Sequence, residues 1–227
     1  MIDSIASIPL FEGLSKEQQK DLADIALKKN FKRGKDVFFE GDEGDGFYVV
    51  ISGQVKIFKV SIEGKEQILH IFGPGEPFGE VPVFAGERFP ANAKTIEDSR
   101  LLFFPRDAFV KLVKRNPSLA LNMLAVLSCR LRRFTGLIEN LSLKEVPGRL
   151  AAYLLYLYSN EDKKDTLVLK ISKGQLASIL GTIPETLSRI LSKMSKEKLI
   201  RSDGSRSLQI LDIEGLEELA SGQRRLS

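Results

Sequence analysis

The chain has 227 residues, a net charge of +4 and 43% hydrophobic residues, which suits one large domain or two modest ones and excludes wholesale disorder. A single cysteine, Cys129, and a single histidine, His70, exclude a disulfide framework, a four-thiolate iron–sulfur cluster within one chain and most multi-histidine zinc sites. No apolar run approaches the roughly 20 residues that span a bilayer, and the first residues lack a basic start followed by an apolar block, so a cytoplasmic protein with no membrane partner is expected.

In chain order, residues 1–30 read as helical. Ser15 with Gln18 has the form of a capping box, and Leu22, Ile25 and Ala26 recur at helical spacing. From Phe31 to Phe104, short runs rich in Val, Ile and Phe are separated by glycines. The runs cover Val37 to Phe39, Phe47 to Ile51, Val55 to Phe58, Gln67 to Ile71 and Arg100 to Phe104, with turns at Gly34, Gly41, Gly44, Gly46, Gly53, Gly64 and Gly75. Many short strands with this punctuation predict a sandwich or barrel.

Pro117 and Ser118 then open a long helix. On it Ala120, Met123, Leu127, Arg130, Phe134, Leu137 and Leu141 alternate at steps of three and four, the spacing of a coiled-coil seam. About 24 residues give roughly 36 Å of helix, enough for one stripe to lie on the β-domain and another on a partner chain. Arg130 interrupts the seam and is read as a register-setting or ligand-facing position, while Cys129 reads as core. Val146-Pro147-Gly148 begins a second domain. It continues with a helix over Arg149 to Tyr158, a polar turn over Asn160 to Asp165 and a short strand over Leu167 to Ile171.

The chemistry concentrates after that point. Ser172 caps a short helix ending near Leu180, Gly181-Thr182-Ile183 makes a tight connection, and Pro184 opens a second helix running to about Lys198. Helix, glycine-containing turn and helix are the signature of a helix-turn-helix. Leu176, Ala177, Leu180, Leu187, Ile190, Leu191 and Met194 supply its core, which leaves Glu185, Thr186, Ser188, Arg189 and Lys193 facing outward. Arg189 suits the O6 and N7 of guanine, Glu185 the N4 amino group of cytosine, and Thr186 and Ser188 a base or a phosphate. Ser172 and Lys173 suit backbone phosphates. Leu199 to Leu211 reads as a hairpin turning at Asp203-Gly204, which makes the motif winged. Lys163, Lys170, Lys173, Arg189, Lys193, Lys196, Lys198, Arg201 and Arg206 add the basic footprint of a nucleic-acid module.

These motifs join Ile8 to Leu14 (IPLFEGL), Phe39 to Asp42 (FEGD), Gly53 to Val55 (GQV), Gly75 to Glu80 (GEPFGE), Pro147 to Arg149 (PGR) and Glu185 to Arg189 (ETLSR). In that order and spacing they resemble the CRP/FNR superfamily over nearly the whole chain. The resemblance implies an α+β architecture: an N-terminal β-roll that is cupin-like and of cyclic-nucleotide-binding type, a long dimerisation helix, and a C-terminal winged helix-turn-helix. Residues 1–117 would sense an effector, 118–145 would form the dimerisation helix and hinge, and 146–227 would bind DNA. It further implies a homodimer on a palindromic promoter site, RNA polymerase as a partner, and control by a small molecule or gas.

The implied effector site comprises Gly79, Glu80, Phe89, Pro90, Ala91, Arg130 and Thr135, and binding beside Glu80, Phe89 and Thr135 would re-aim the two reading helices. Members that bind cyclic AMP carry Gly-Glu followed by Arg-Ser-Ala. Here Gly79-Glu80 are present, but Phe89-Pro90-Ala91 stand at the second motif and Arg88 lies one residue early. Proline offers no backbone N–H and phenylalanine no charge, so cyclic AMP is disfavoured. The family's iron–sulfur sensors need a cysteine cluster that this chain lacks. Phe89 to Ala93 resembles members that sense other signals, among them haem-linked nitric oxide regulators. Thr182 to Arg189 is similar to the regulators of hybrid-cluster-protein genes, which implies a nitrosative-stress role. Haem is then a candidate cofactor with His70 as its ligand, against the plainer reading of His70 as a strand residue.

The β-roll is also consistent with a second function class, a ligand-binding regulatory module that acts through protein contacts. An enzyme is not expected. No phosphate loop ending in Gly-Lys-Ser/Thr occurs, Gly41 to Gly46 lacks a dinucleotide-binding context, and the one histidine and one cysteine lie far apart in the chain.

Overall fold

The computed structural model describes residues 5–6, 8–160, 166–169, 171–202 and 207–226. The chain divides into two compact units, Met1–Leu131 and Arg132–Ser227.

The first unit opens with a 3-10 turn at Pro9–Phe11 and helix α1 (Lys16–Ile25). Ser15 caps α1 with the reciprocal bonds to Gln18 that the sequence predicts. The chain leaves the helix at Ala26 and becomes strand β1 (Leu27–Phe31), which corrects the helical reading of residues 1–30. The pentapeptide Leu-Lys-Lys-Asn-Phe has no apolar alternation to announce a strand. It pairs along its whole length with β8 (Ser99–Pro105).

β2 (Asp36–Phe38), β3 (Gly46–Ser52), β4 (Val55–Val60) and β5 (Glu66–Phe72) form where the apolar runs stand. β6 (Pro77–Phe78), α2 (Val81–Ala85), β7 (Asn92–Thr95) and α3 (Arg106–Arg115) complete the unit. The strands make two four-stranded antiparallel sheets, in the orders β1-β8-β3-β6 and β2-β7-β4-β5. Alternation along β3 and β8 builds two cores. Phe47, Val49, Leu102 and Phe104 join Leu10, Phe11, Leu22 and Phe109 on the helical side. Val50 and Leu101 meet Phe38, Val55, Phe72 and Ala93 between the sheets. β3 and β8 are therefore covered on both faces, and the arrangement is the expected β-roll.

Helix α4 (Pro117–Leu143) follows; its 27 residues span about 40 Å. Of the seam read over Ala120 to Leu141, Met123 and Leu127 face the roll. Leu119 and Met123 are buried in the core of the roll, with Val126 and Leu127 packed on it. The outward stripe carries Leu121, Leu124, Leu131 and Ile138, each between 59% and 68% exposed, with Ser128 and Thr135 at the intervening positions. Both stripes keep heptad spacing, so the pattern alone does not say which faces the chain's own core. Cys129 is exposed, contrary to its reading as core.

The second unit continues with α5 (Val146–Asn160), β9 (Thr166–Val168), α6 (Lys173–Ile179), α7 (Pro184–Lys196), β10 (Ile200–Ser202), β11 (Ser207–Ile210) and α8 (Ile213–Ser221). Its sheet runs β10-β11-β9, all antiparallel. β10 and β11 are the arms of the expected hairpin; the Asp203-Gly204 turn lies outside the described residues, as do Lys163, Lys170 and Arg206. Among the described residues, no helix is long and apolar enough to cross a membrane.

Candidate nucleic-acid interface and sensor pocket

α7 buries Leu187, Ile190 and Met194 and turns Glu185, Ser188, Arg189, Ser192 and Lys193 to solvent, with Thr186 half-buried. Pro184 opens the helix, where its missing N–H costs no hydrogen bond. Glu185 in the first turn and Lys193 and Lys196 in the last complement the helix dipole. Thr186, Arg189 and Lys193 also line a cleft of about 500 Å³ that includes Arg149 and Leu226.

α6 is capped by Ser172, whose hydroxyl oxygen accepts from the Gln175 amide at 3.2 Å while the Gln175 side chain accepts from the Ser172 amide at 2.8 Å. Ser172 is thus employed in the cap, and exposed Lys173 beside it carries the charge for a phosphate. The backbone N–H of Thr182 donates to Ala177 at 2.9 Å and closes the turn between the two helices.

Arg149 anchors this head to the end of α4. Its guanidinium donates to the carbonyls of Asn140, Leu141 and Lys144 at 3.2, 3.0 and 2.9 Å, and to that of Leu180, the last residue of α6's cap, at 2.8 Å. The sequence marks Arg149 only as part of the Pro147 to Arg149 motif. Nothing local in the chain announces four carbonyl partners drawn from two helix ends.

In the roll, three of the expected effector residues, Glu80, Arg130 and Phe89, are engaged with protein partners. Glu80 is 7% exposed and forms an ion pair with Arg130 of α4. Arg130 also donates to the Pro77 carbonyl at 2.6 Å and lies over the Phe72 ring, 5.0 Å from its centroid. The ligand-facing reading of Arg130 therefore meets a side chain whose partner is Glu80.

Phe89 is 5% exposed and stacks on Phe38 with centroids 3.7 Å apart, so it belongs to the core between the sheets. Gly79, at φ +73°, leaves room for that stack: a Cβ there would stand 3.1 Å from Phe38 and 3.2 Å from Phe89. Ala91 is buried and Pro90 exposed. Arg88 turns away, donating to the Gly41 carbonyl and to Glu43, each at 2.8 Å. Thr135 belongs to the second unit and is exposed on the outward stripe of α4.

His70, in β5, has Nε2 3.4 Å from Glu76 Oε1 and its ring edge-on to Phe72 at 4.5 Å. A haem iron on that nitrogen would have to displace the glutamate, and the contacts of His70 are those of the plainer reading, a strand residue. Among the described residues, no three His, Cys, Asp or Glu side chains are grouped to hold a metal.

Comparison with known proteins agrees with this arrangement. Residues 28–116 match the cyclic nucleotide-binding domain, and residues 148–219 match the Crp-like helix-turn-helix domain. The chain is 35% identical over 219 residues to the cyclic AMP receptor protein of Thermus thermophilus, covering 94% of this chain and 97% of that one. It is 31% identical over 220 residues to a CRP-like cAMP-activated global transcriptional regulator of Mycobacterium tuberculosis, covering 95% and 98%. A solved CRP/FNR-family transcriptional regulator from Thermus thermophilus superimposes with a TM-score of 0.68 at 30% identity, over 86% of this chain and 98% of that one.

Proposed function

The chain belongs to the CRP/FNR family of transcriptional regulators, and from that premise we propose that it reads a palindromic promoter site as a homodimer through α7. It is a sequence-specific DNA-binding transcriptional regulator. The observation that carries the finer reading is the exposed row Glu185, Ser188 and Arg189 on a helix whose opposite face is locked by Leu187, Ile190 and Met194. That row places a bidentate donor and a carboxylate acceptor at the N-terminal half of the helix, where base edges are read. Lys173 and Lys193 supply phosphate contacts beside it.

The outward stripe of α4 supports dimerisation. A heptad row of Leu121, Leu124, Leu131 and Ile138 in solvent has the form of a helix–helix interface. In the division of labour proposed, residues 1–117 sense, 118–145 dimerise and 146–227 bind DNA in the cytoplasm. RNA polymerase is the partner that converts binding into regulation, and no catalytic step is assigned.

For the effector, the reading is a ligand other than a cyclic nucleotide. Phe89 is turned into the core, Pro90 has no N–H to offer, Arg88 is clipped to Gly41 and Glu43, and Glu80 is held by Arg130. Any ligand that reaches Glu80 competes with Arg130 and so acts on α4. It shifts the protein only to the extent that it binds one state better than the other. Cyclic AMP is the second reading, favoured by the names of the two relatives. Titration calorimetry with cyclic AMP decides between them, with no heat of binding expected.

The central test is selection of DNA from a randomised duplex library by the full chain. The expected product is an inverted repeat with half-sites about one helical turn apart, roughly 34–36 Å. Failure to enrich any duplex at low salt would favour a module acting through protein contacts.

A further inference from the structure

The trailing end of α7 is held by a side chain from the far end of the unit. Glu197 closes the helix, Lys198 turns the chain at φ +58°, and Leu199 is buried just before β10. The Leu199 carbonyl accepts from the amides of Leu211 and Asp212 at 2.9 and 3.2 Å. The end of the reading helix, the base of the wing and the start of α8 therefore meet at one point.

Arg224 reaches that point. α8 ends at Gly222, and the amides of Gln223 and Arg224 fold back onto the Glu218 carbonyl at 2.9 and 3.2 Å. From there, Arg224 Nη2 lies 3.1 Å from Glu197 Oε2 and Nη1 lies 3.8 Å from Asp212 Oδ2. Asp212 uses its other oxygen to cap α8, accepting from the Gly215 amide at 2.9 Å. Gly215 makes the approach possible, since a Cβ there would stand 2.8 Å from Arg224 Nη1 and 2.4 Å from Asp212 Oδ2. The Glu197 and Arg224 side chains are only 20% and 31% exposed.

We infer that Arg224 is a positioning residue for base reading, one that fixes the pitch of α7 by tying its C-cap, Glu197, to the N-cap of α8, Asp212. This rests on the DNA-reading role proposed above. α8 is itself held by buried Leu216 and Leu219, and a partly exposed ion pair adds little to global stability. The consequence of losing Arg224 is therefore misplacement of Arg189 and Glu185 against the bases while the fold persists.

The experiment compares two duplexes, one enriched from a randomised library by the wild-type full chain and one of random sequence, over a range of salt. Arg224→Ala is expected to bind the enriched duplex about tenfold more weakly. Its affinity for the random duplex, its salt slope and its melting midpoint stay unchanged. Glu197→Gln, which leaves the C-terminal segment untouched, shifts affinity the same way by less, and the double variant loses no more than Arg224→Ala. Arg224→Lys, which keeps the charge but not the fork, recovers part of the loss.

Equal weakening on both duplexes with a shallower salt slope would make Arg224 a phosphate contact and overturn the proposal. Unchanged affinity for the enriched duplex, or a loss that follows the melting midpoint, overturns it as well. If the wild type itself does not distinguish the duplexes, the DNA-reading role falls, and this inference falls with it.

Discussion

In the roll, residues that the family pattern assigns to an effector are held by protein partners, Phe89 by Phe38 and Glu80 by Arg130. In the second unit, Glu185, Ser188 and Arg189 stand in solvent with no competing protein partner among the hydrogen bonds and ion pairs described. The two surfaces differ in what a ligand must do. On the proposed reading, DNA meets charges already presented, so its binding is governed by contact chemistry. A molecule entering the roll must first displace an aromatic stack or a buried ion pair, so its binding is governed by what it breaks.

The largest effect that sharpens this comparison is expected from Phe89→Ala. If the ring is core, its loss destabilises the roll by about 3–5 kcal/mol in urea unfolding; a ring that merely lines an open pocket would cost far less. Arg130→Ala strands the buried Glu80 carboxylate and is expected to cost about 3 kcal/mol, most of it recovered in the double variant Glu80→Gln, Arg130→Met. Unfolding of the three proteins side by side checks this, and equal costs for the single and double variants would contradict it.

Leu131→Glu places a charge on the outward stripe and is expected to weaken self-association by about tenfold or more, read by sedimentation. The same substitution at Leu127 would instead unfold the roll, because that position faces its own core.

A further effect concerns pH. Burial, with Tyr156 adding, raises the Tyr153 phenol from about 10 to about 12. The folded state thus keeps a proton that the unfolded state releases. Stability is full below about pH 10 and falls as pH rises toward 12. Tyr153→Phe should flatten that slope in unfolding measured between those limits.

Legibility followed the range of the interactions. Features set within four residues were visible in the sequence: the Ser15 and Ser172 capping boxes, Pro184 at a helix start and the alternation of β3. β1 was not, because Leu-Lys-Lys-Asn-Phe is exposed and becomes a strand only through its pairing with β8. β6 and β7 were hidden for a related reason: one is a dipeptide and the other carries only Ala93 and Thr95 inward.

The seam of α4 was visible as a period but not as a direction, since two stripes share it and only the packing of Met123 and Leu127 tells them apart. For the sites, the outward residues of α7 follow from helical geometry alone. The side-chain partners of Arg130, Arg149 and Arg224 lie between 5 and 53 residues away along the chain, beyond the reach of a local pattern, and no spacing rule announces them.

Base reading by α7 is tested most directly at Arg189. Affinities of the wild type and Arg189→Ala should be measured on the enriched duplex and on a set in which each base pair of the half-site is changed in turn. The expected result is a loss of about 1–3 kcal/mol on the enriched duplex and relaxed discrimination at one base pair per half-site. An equal loss on every duplex, random sequence included, would show that α7 contacts the backbone without reading bases and would contradict the assignment.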